Sequence, residues 1–176
     1  MKTMMYMTHY ASPIGDLMLE SDGDALTGLC FDTGSDRPFD CFRDDLPVFA
    51  QTRQWLDSYF AGKAPDFIPP LRFSGTPFRQ EVWEILLSIP YGKTLTYGEI
   101  AAQIAQKRGI RKMSAQAVGG AVSSNPIALI SPCHRVVGSG GALTGYAGGL
   151  DRKAWLLERE GIAYPRPGKT ERLVNR

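Results

Sequence analysis

The pair Cys133-His134 is the part of the sequence best suited to covalent chemistry. The thiolate form of cysteine is the strong nucleophile, and a neighbouring imidazole can take up the thiol proton. The pair follows an apolar run, residues 126–130, which predicts a buried strand that leads into Pro132. A buried and inert cysteine is the common alternative, so the pair alone leaves both interpretations open.

The remaining cysteines and histidines narrow the kinds of site that the chain can hold. An odd count of three cysteines without a C-x-x-C pair argues against a disulfide framework and favours a reducing compartment. With only two histidines, a structural zinc site is not expected. We predict that Cys30 lies in a core strand, that Cys41 lies in a polar loop, and that His9 has no role. Apolar runs are too short for a membrane span or a signal sequence, so we expect a soluble cytoplasmic protein.

The charge is distributed unevenly along the chain. Residues 1–76 carry six Lys and Arg against eleven Asp and Glu, a net charge of −5, whereas residues 77–176 carry fourteen against seven, a net charge of +7. A basic second half favours a polyanionic partner for that half alone. Ordinary variation of charge between domains is the alternative.

The elements that must position the Cys-His pair fall into two groups, and the first is a small α+β unit. Three short strands are predicted at residues 4–10, 15–20 and 26–31, and the Asp-Gly turn between the last two is typical of a hairpin. Residues 32–46 are predicted as a loop. A helix with an apolar stripe is expected from Pro47 to the stop at Gly62. The proline-rich stretch 63–76 contains the predicted domain boundary.

The second group is mostly helical. Helices are predicted from Pro77 to the stop at Pro90, from the capping box at Thr96 to about Gln106, over residues 115–123 behind a Ser114 cap, and from Asp151 to Glu160. Two short helices joined by a basic loop, residues 107–112, are typical of a helix-turn-helix. The helix 115–123 is built almost entirely of small residues. Close packing in the core and close approach to DNA both explain that composition, and the two can coexist on opposite faces.

Several segments together resemble one family. The central segment is PCHRV at residues 132–136, which follows an Asn-Pro pair at 125–126 and precedes TGYAGGL at 144–150. Further segments that match are IPYG at 89–92, TYGEIA at 96–101, the last helix with Leu156, Leu157 and Glu160, and SPIG at 12–15. This pattern closely resembles the O6-alkylguanine-DNA alkyltransferases, also called methylated-DNA–protein-cysteine methyltransferases. The resemblance spans roughly residues 76–162. It implies an α+β fold with a ribonuclease H-like sheet-and-helix domain at 1–70, a helical DNA-binding and transferase domain at 76–163, and a tail at 164–176.

The resemblance also implies roles for single residues. Cys133 matches the alkyl acceptor, His134 the base that takes the thiol proton through a bound water, and Glu160 the carboxylate that orients the histidine. Asn125 matches the residue that ties the helix-turn-helix to the active-site segment, and Tyr97 the hydroxyl that assists guanine as leaving group. The remaining matches concern the base pocket and the DNA; they are Tyr146, Val137 and Ser139 for the pocket, and Ser114, Gln116 and Ala117 for DNA. Arg135 is expected to brace the site, and Trp83 and Trp155 to serve in packing.

Two positions depart from the family pattern. Gln116 stands where many members carry an arginine that fills the stack after the base has left, so weaker DNA binding or slower flipping is expected. Ala147 stands where some relatives have serine, and its backbone N–H can still bond the base oxygen.

The implied activity is single-turnover repair of double-stranded DNA that contains O6-alkylguanine, by a monomer without cofactor, metal or membrane association. A damage sensor that flips the base without reacting and an unrelated Cys-His hydrolase are the alternatives. The first lacks support because Cys133 is present, and the second leaves the small-residue helix unexplained.

Overall fold

The computed structural model describes residues 2–34 and 38–165 and divides into two compact units. The first unit is drawn from Met1–Thr76 and Pro126–Ser131, and the second from Pro77–Asn125 and Pro132–Arg176. The sequence-based division assigned residues 126–131 to the second domain instead. Most of the predicted tail, 166–176, lies outside the described residues.

The first unit is a four-stranded sheet with one helix. Its strands are β1 (Tyr6–Ser12), β2 (Gly15–Ser21), β3 (Leu26–Phe31) and β4 (Cys41–Phe42), in the order β3-β2-β1-β4. The first three strands are antiparallel neighbours, and β4 runs parallel to β1 at the edge. The predicted hairpin is thereby confirmed. The prediction of loop throughout 32–46 is wrong at β4, because its pairing with Tyr6 and Met7 is a long-range contact that local composition does not reveal.

Helix α1 (Pro47–Phe60) has the predicted bounds and covers the core of this unit. Proline stands at its first turn, where the missing N–H costs nothing, and Gly62 follows its end with a φ of 84°. Its buried face is an apolar stripe with one threonine: Val48, Phe49, Thr52, Trp55, Leu56, Tyr59 and Phe60. Trp55 and Tyr59 stack at a ring distance of 5.4 Å. Cys30 in β3 is only partly buried, so the prediction of a core position is too strong.

The apolar run 126–131 is not the predicted strand. It makes one isolated bridge, Leu29 to Ile127, in which the Leu29 N–H donates to Pro126 O at 2.9 Å and Ala128 N–H donates to Leu29 O at 2.8 Å. The chain then turns, with Leu129 in the left-handed region at a φ of 67°. Apolar composition indicates burial of this run but not its backbone conformation.

The second unit contains four helices and a two-stranded ladder. The elements are α2 (Pro77–Ser88), β5 (Leu95–Thr96), α3 (Tyr97–Arg108), α4 (Ala115–Ser123), β6 (Val136–Val137) and α5 (Leu150–Arg159). The predicted helices are confirmed to within about two residues at their ends, except that Gly149, not Asp151, occupies the N-cap of α5. None of the helices in the described ranges has the length and hydropathy that a membrane span requires.

Local capping explains where α3 and α4 begin and end. The Thr96 hydroxyl accepts from Glu99 N–H at 3.0 Å, and α3 stops at Gly109, which adopts the left-handed conformation at a φ of 66°. The Ser114 hydroxyl accepts from Ala117 N–H at 3.2 Å and starts α4. The predicted helix-turn-helix pair is therefore present as α3 and α4.

Helix α4 buries one face and exposes the other. Val118, Ala121 and Val122 are buried, and the indole N–H of buried Trp83 donates to Ala121 O at 2.9 Å. Residues 115–117 and Gly120 are exposed. Core packing thus accounts for one side of the small-residue helix, and the approach of its other side to DNA stays a prediction.

Candidate active site around Cys133

Cys133 opens a short 3-10 turn, Cys133–Arg135, that leads directly into β6. The cysteine is only 7% exposed. The ladder pairs Leu95 and Thr96 of β5 with Val136 and Val137 of β6 in parallel register, and β6 directly follows the cysteine turn. Tyr97, the next residue after Thr96, lies near enough for the charge of Cys133 to raise the pKa of its phenol, although the two residues are 36 positions apart in the chain.

A buried ionic network stands next to the thiol. The His134 ring lies with its Nε2 2.5 Å from Glu160 Oε2, and both side chains are fully buried. The other carboxylate oxygen, Oε1, accepts from Arg135 Nε at 2.7 Å and from Gly92 N–H at 3.0 Å. The carboxylate therefore receives one histidine, one guanidinium and one backbone donor.

The guanidinium of Arg135 is itself held on several sides. Its Nη1 donates to Ile89 O at 2.7 Å, and its Cζ lies 5.7 Å from the centre of the Tyr91 ring. The Tyr91 hydroxyl in turn donates to Arg159 O at 3.3 Å. These contacts confirm the prediction that Arg135 braces the site. They also fasten residues 89–92, which follow α2, to the end of α5.

The ionisation of this network sets the tautomer of the histidine. Burial alone would raise the pKa of Glu160, but its bonds to His134, Arg135 and Gly92 lower that pKa to about 2. Burial lowers the pKa of His134, against the opposing effect of Glu160. An ionised carboxylate can only accept, so the histidine nitrogen that faces it, Nε2, must carry the hydrogen. The lone pair then lies on Nδ1, which is the nitrogen able to accept a proton.

A buried lysine closes the other side of the site. Lys153 of α5 is fully buried, and its ammonium donates to Val136 O at 2.5 Å, Thr144 O at 2.6 Å and Gly145 O at 3.2 Å. Burial lowers its pKa to about 8, so it remains mostly protonated at neutral pH. One cation thus joins α5, β6 and the loop between them.

The pKa of the Cys133 thiol is set by effects that act in opposite directions. Burial raises the pKa of Cys133, while hydrogen bonds from the Asn125 side chain and from the backbone, together with the charge of Lys153, lower it. The balance lies above the ordinary value, so the resting group is a thiol and needs a base before it can attack.

Two tyrosines flank the cysteine. The Tyr97 hydroxyl lies 3.5 Å from Thr144 O, and a Cβ added to Gly119 of α4 would lie 3.8 Å from the Tyr97 ring. Tyr146 is partly exposed, but its hydroxyl is buried. Burial raises the pKa of the Tyr97 phenol and of the Tyr146 phenol, and the charge of Cys133 raises both further. Both phenols are therefore neutral hydrogen-bond donors at pH 7.

The predicted site residues therefore form two sets. The structure gathers Cys133, His134, Glu160, Asn125, Tyr97 and Tyr146 in one place, with buried Val137 two residues after the cysteine turn. Ser139 and Ala147 are exposed on the loop between β6 and α5, and Ser114, Gln116 and Ala117 form the exposed start of α4. No group of three His, Cys, Asp or Glu that could hold a metal ion occurs in the described part of the chain.

Comparison with known proteins identifies the family of the chain. Residues 5–73 match the family model of the 6-O-methylguanine DNA methyltransferase ribonuclease-like domain, and residues 77–162 match that of its DNA binding domain. The methylated-DNA–protein-cysteine methyltransferase of Haemophilus influenzae is 42% identical over 165 residues, which cover 92% of this chain and 89% of the relative. The chain belongs to the methylated-DNA–protein-cysteine methyltransferase family. The relative of the same name from Mycobacterium leprae is 46% identical over 161 residues, covering 89% and 93%.

Solved structures of family members share the fold. The structure of Mycobacterium tuberculosis OGT in complex with DNA matches with a TM-score of 0.77 at 44% identity and covers 88% of this chain and 92% of its own. The structure of Mycobacterium tuberculosis O6-methylguanine methyltransferase has a TM-score of 0.76 at 41% identity, covering 96% and 99%. These matches confirm the predicted α+β class, with a ribonuclease-like domain before a helical DNA-binding domain.

Two functional positions of this methyltransferase were missed from the sequence. Lys153 stands three and four residues before the buried Leu156 and Leu157, on the apolar stripe of α5, and that spacing was the signal of an inward-facing lysine. Gly92 acts through its backbone N–H, which no side-chain pattern reveals.

Proposed function

We propose that this methyltransferase repairs DNA by transferring the alkyl group from O6 of guanine to Sγ of its own Cys133. One observation carries the proposal: a buried thiol directly precedes a histidine whose Nε2 donates to an ionised, fully buried carboxylate, in a chain of this family. This arrangement generates a thiolate on demand and keeps it away from water.

The reaction balances without a cofactor. His134 takes the thiol proton, either directly or through a water, and the resulting imidazolium is stabilised by Glu160. The thiolate attacks the alkyl carbon, so that an S–C bond forms while the C–O6 bond breaks. The electron pair of that bond goes to the guanine ring, which accepts a hydrogen bond from Tyr97 as its charge develops and then takes a proton, from Tyr97 or from water. His134 gives its proton to solvent, and solvent returns one proton to Tyr97 or to the water that supplied it. The net change is the transfer of one proton from the thiol to guanine.

The product explains why one molecule acts once. A thioether has no acidic hydrogen and is not hydrolysed by the groups at this site, so nothing restores the thiol. The protein is consumed in proportion to the lesions that it repairs.

Delivery of the base requires its extrusion from the duplex. Extrusion costs a few kcal/mol, which contacts to the phosphate backbone offset. We assign this delivery to the exposed face of α4, whose small residues 115, 117 and 120 allow the helix to lie close to a groove. Tyr97 packs between α4 and the cysteine turn and is placed to act at both.

The decisive experiment is mass spectrometry after mixing the protein with duplex DNA that contains O6-methylguanine. One methyl group is expected on the peptide that holds Cys133, stopping at one equivalent per protein, while Cys30 and Cys41 stay unmodified. Cys133→Ser should bind the same DNA without gaining mass. Binding without transfer by the wild type would instead support a damage sensor, and repeated turnover of an ester substrate would support a hydrolase.

A further inference from the structure

Residues 107 and 108 of the predicted loop 107–112 belong to α3, so the loop between α3 and α4 is residues 109–113. We call residues 109–113 the basic loop. At its start, Gly109 N–H donates to Gln106 O at 3.2 Å and Ile110 N–H donates to Ala105 O at 3.0 Å. At its end, the Ser114 hydroxyl caps α4. Hydrogen bonds therefore hold both ends of the basic loop.

The neighbouring Arg108 is a cation that makes an ion pair within the second unit. Its Nε and Nη2 donate to Glu81 Oε2 at 3.1 and 2.5 Å, and its guanidinium lies 5.6 Å from the centre of the Phe78 ring. Arg108 thus joins the end of α3 to α2. Its charge is therefore paired with a carboxylate of the same chain.

Arg111 and Lys112 are different. Both are exposed, and within residues 2–34 and 38–165 no carboxylate forms an ion pair with either of them. Two adjacent cations without an ion pair repel each other and contribute little to the stability of the fold. Both charges are therefore available to a partner outside the chain.

Helix α4 lacks the positive charge that the basic loop carries. Its nine residues, AQAVGGAVS, contain no charged side chain, although its exposed face is the one assigned to DNA above. A protein that binds DNA must neutralise phosphates, because release of their counterions supplies much of the affinity. The charge has to come from residues that flank the helix, and the basic loop leads directly into its first turn.

We infer that Arg111 and Lys112 bind phosphates of the duplex beside the place where α4 lies, and so supply the charge that this helix lacks. The inference rests on the proposed function. Contacts to phosphates position a protein on DNA without reading sequence, so this contribution should appear in affinity and its salt dependence. It should not appear in the rate of alkyl transfer once DNA is saturating.

The test compares Arg111→Ala and Lys112→Ala with a matched control. Lys63→Ala removes the same charge from an exposed lysine of the first unit. Dissociation constants for a duplex with O6-methylguanine are measured over a series of salt concentrations in a Cys133→Ser background, which prevents reaction. Each loop variant should weaken binding several-fold at low salt and reduce the slope of log K against log salt by about one, whereas Lys63→Ala should change neither. Lys112→Arg should retain the wild-type slope.

The same variants with Cys133 intact are then assayed for transfer at saturating DNA. Rates equal to wild type are expected. Affinity and slope indistinguishable from those of Lys63→Ala would overturn the inference, as would a loss confined to the saturated transfer rate. Absence of transfer in the wild type would instead reject the proposed function, and the binding data would still decide the role of the basic loop.

Discussion

The two units bury different kinds of polar residue. Among residues 2–34 and 38–165, the buried polar residues of the first unit all carry hydroxyls; they are Thr8, Ser21, Thr52 and Ser131. Those of the second unit in the same ranges are all titratable; they are His134, Arg135, Lys153 and Glu160. The first unit keeps the ion pairs Lys2–Asp40 and Arg43–Asp45 toward solvent, whereas the second places His134 and Glu160 together inside.

This difference in buried polar residues indicates that the first unit is built for stability and the second for chemistry. A buried hydroxyl needs one nearby acceptor, as Thr52 finds in Val48 O at 2.7 Å, and it costs little. A buried charge costs several kcal/mol unless it is paired and hydrogen-bonded, and apolar residues would often fill the same space with greater stability. Within the described part of the second unit, the buried titratable side chains all lie around the thiol.

Removal of the carboxylate should have the largest effect. In Glu160→Gln the His134 ring loses the anion that fixes its tautomer and stabilises its protonated form. We expect the transfer rate at saturating DNA to fall roughly a hundredfold or more, with DNA affinity unchanged. Single-turnover kinetics measure this. Glu158→Gln, an exposed position of the same helix, is the control and should keep the wild-type rate. Equal rates in both variants would show that the buried pair is structural.

Replacement of the buried cation should come next. Lys153→Met keeps the length of the side chain but leaves the Val136, Thr144 and Gly145 carbonyls without their shared donor. Urea unfolding should show a loss of about 3 kcal/mol, and the transfer rate should fall because the loop beside Tyr146 loosens. A variant as stable and as fast as wild type would contradict the assignment of this lysine as a positioning residue.

The pH dependence of the free energy of unfolding tests the ionisation of Glu160. The pKa of Glu160 is lowered to about 2, so its contribution is complete above the unfolded value near 4.5 and is lost as pH falls toward 2. That contribution is at most about 3 kcal/mol. Urea unfolding at pH 6 and pH 3 should therefore show a steeper loss in wild type than in Glu160→Gln. Parallel losses would mean that the carboxylate is not preferentially ionised in the folded protein.

A substitution in the first unit should affect stability alone. Thr52→Val removes a buried hydroxyl at constant shape, and we expect a loss of about 1 kcal/mol in the free energy of unfolding. The transfer rate should match wild type. A changed rate at unchanged fold would erase the distinction between the two units.

The smallest effect is expected on the surface of the second unit. Gln116 is exposed in the first turn of α4, where the family commonly has arginine. Gln116→Arg adds a charge to a helix that has none, so DNA affinity should rise a few-fold and repair should accelerate. Titration with damaged duplex, with Gln116→Lys as a second cation of different shape, measures the change. An unaltered affinity and rate would show that this glutamine already fills the role.

Much of this site could be predicted because its chemistry is concentrated in short segments. Cys133 and His134 are adjacent, and Glu160 follows in a helix with a clear period. Lys153 of the same helix was missed because lysines on helices are nearly always solvent-exposed, although its spacing from Leu156 and Leu157 places it on the buried face. The backbone donor of Gly92 could not be predicted, because it depends on where α2 ends relative to α5.

The fold could be predicted where local signals decide it. Capping at Thr96 and Ser114 and the proline at the start of α1 fix helix ends within their own turns. Strand β4 and the run 126–131 have no such signal. Each takes its conformation from a partner far away in the chain, Tyr6 and Met7 for the strand and Leu29 for the run. Apolar content alone could not distinguish a strand from an irregular buried segment.

The bridge between Leu29 and Ile127 has a consequence for synthesis of the chain. Strand β3 leaves the ribosome about a hundred residues before its partner, so the first unit cannot be completed until that partner has been made. The entropic cost of closure grows only slowly with loop length, but contacts between residues so far apart in the chain slow folding. Helices α2, α3 and α4 are therefore all translated before the amino-terminal sheet receives its last segment, and that segment is followed almost at once by Cys133.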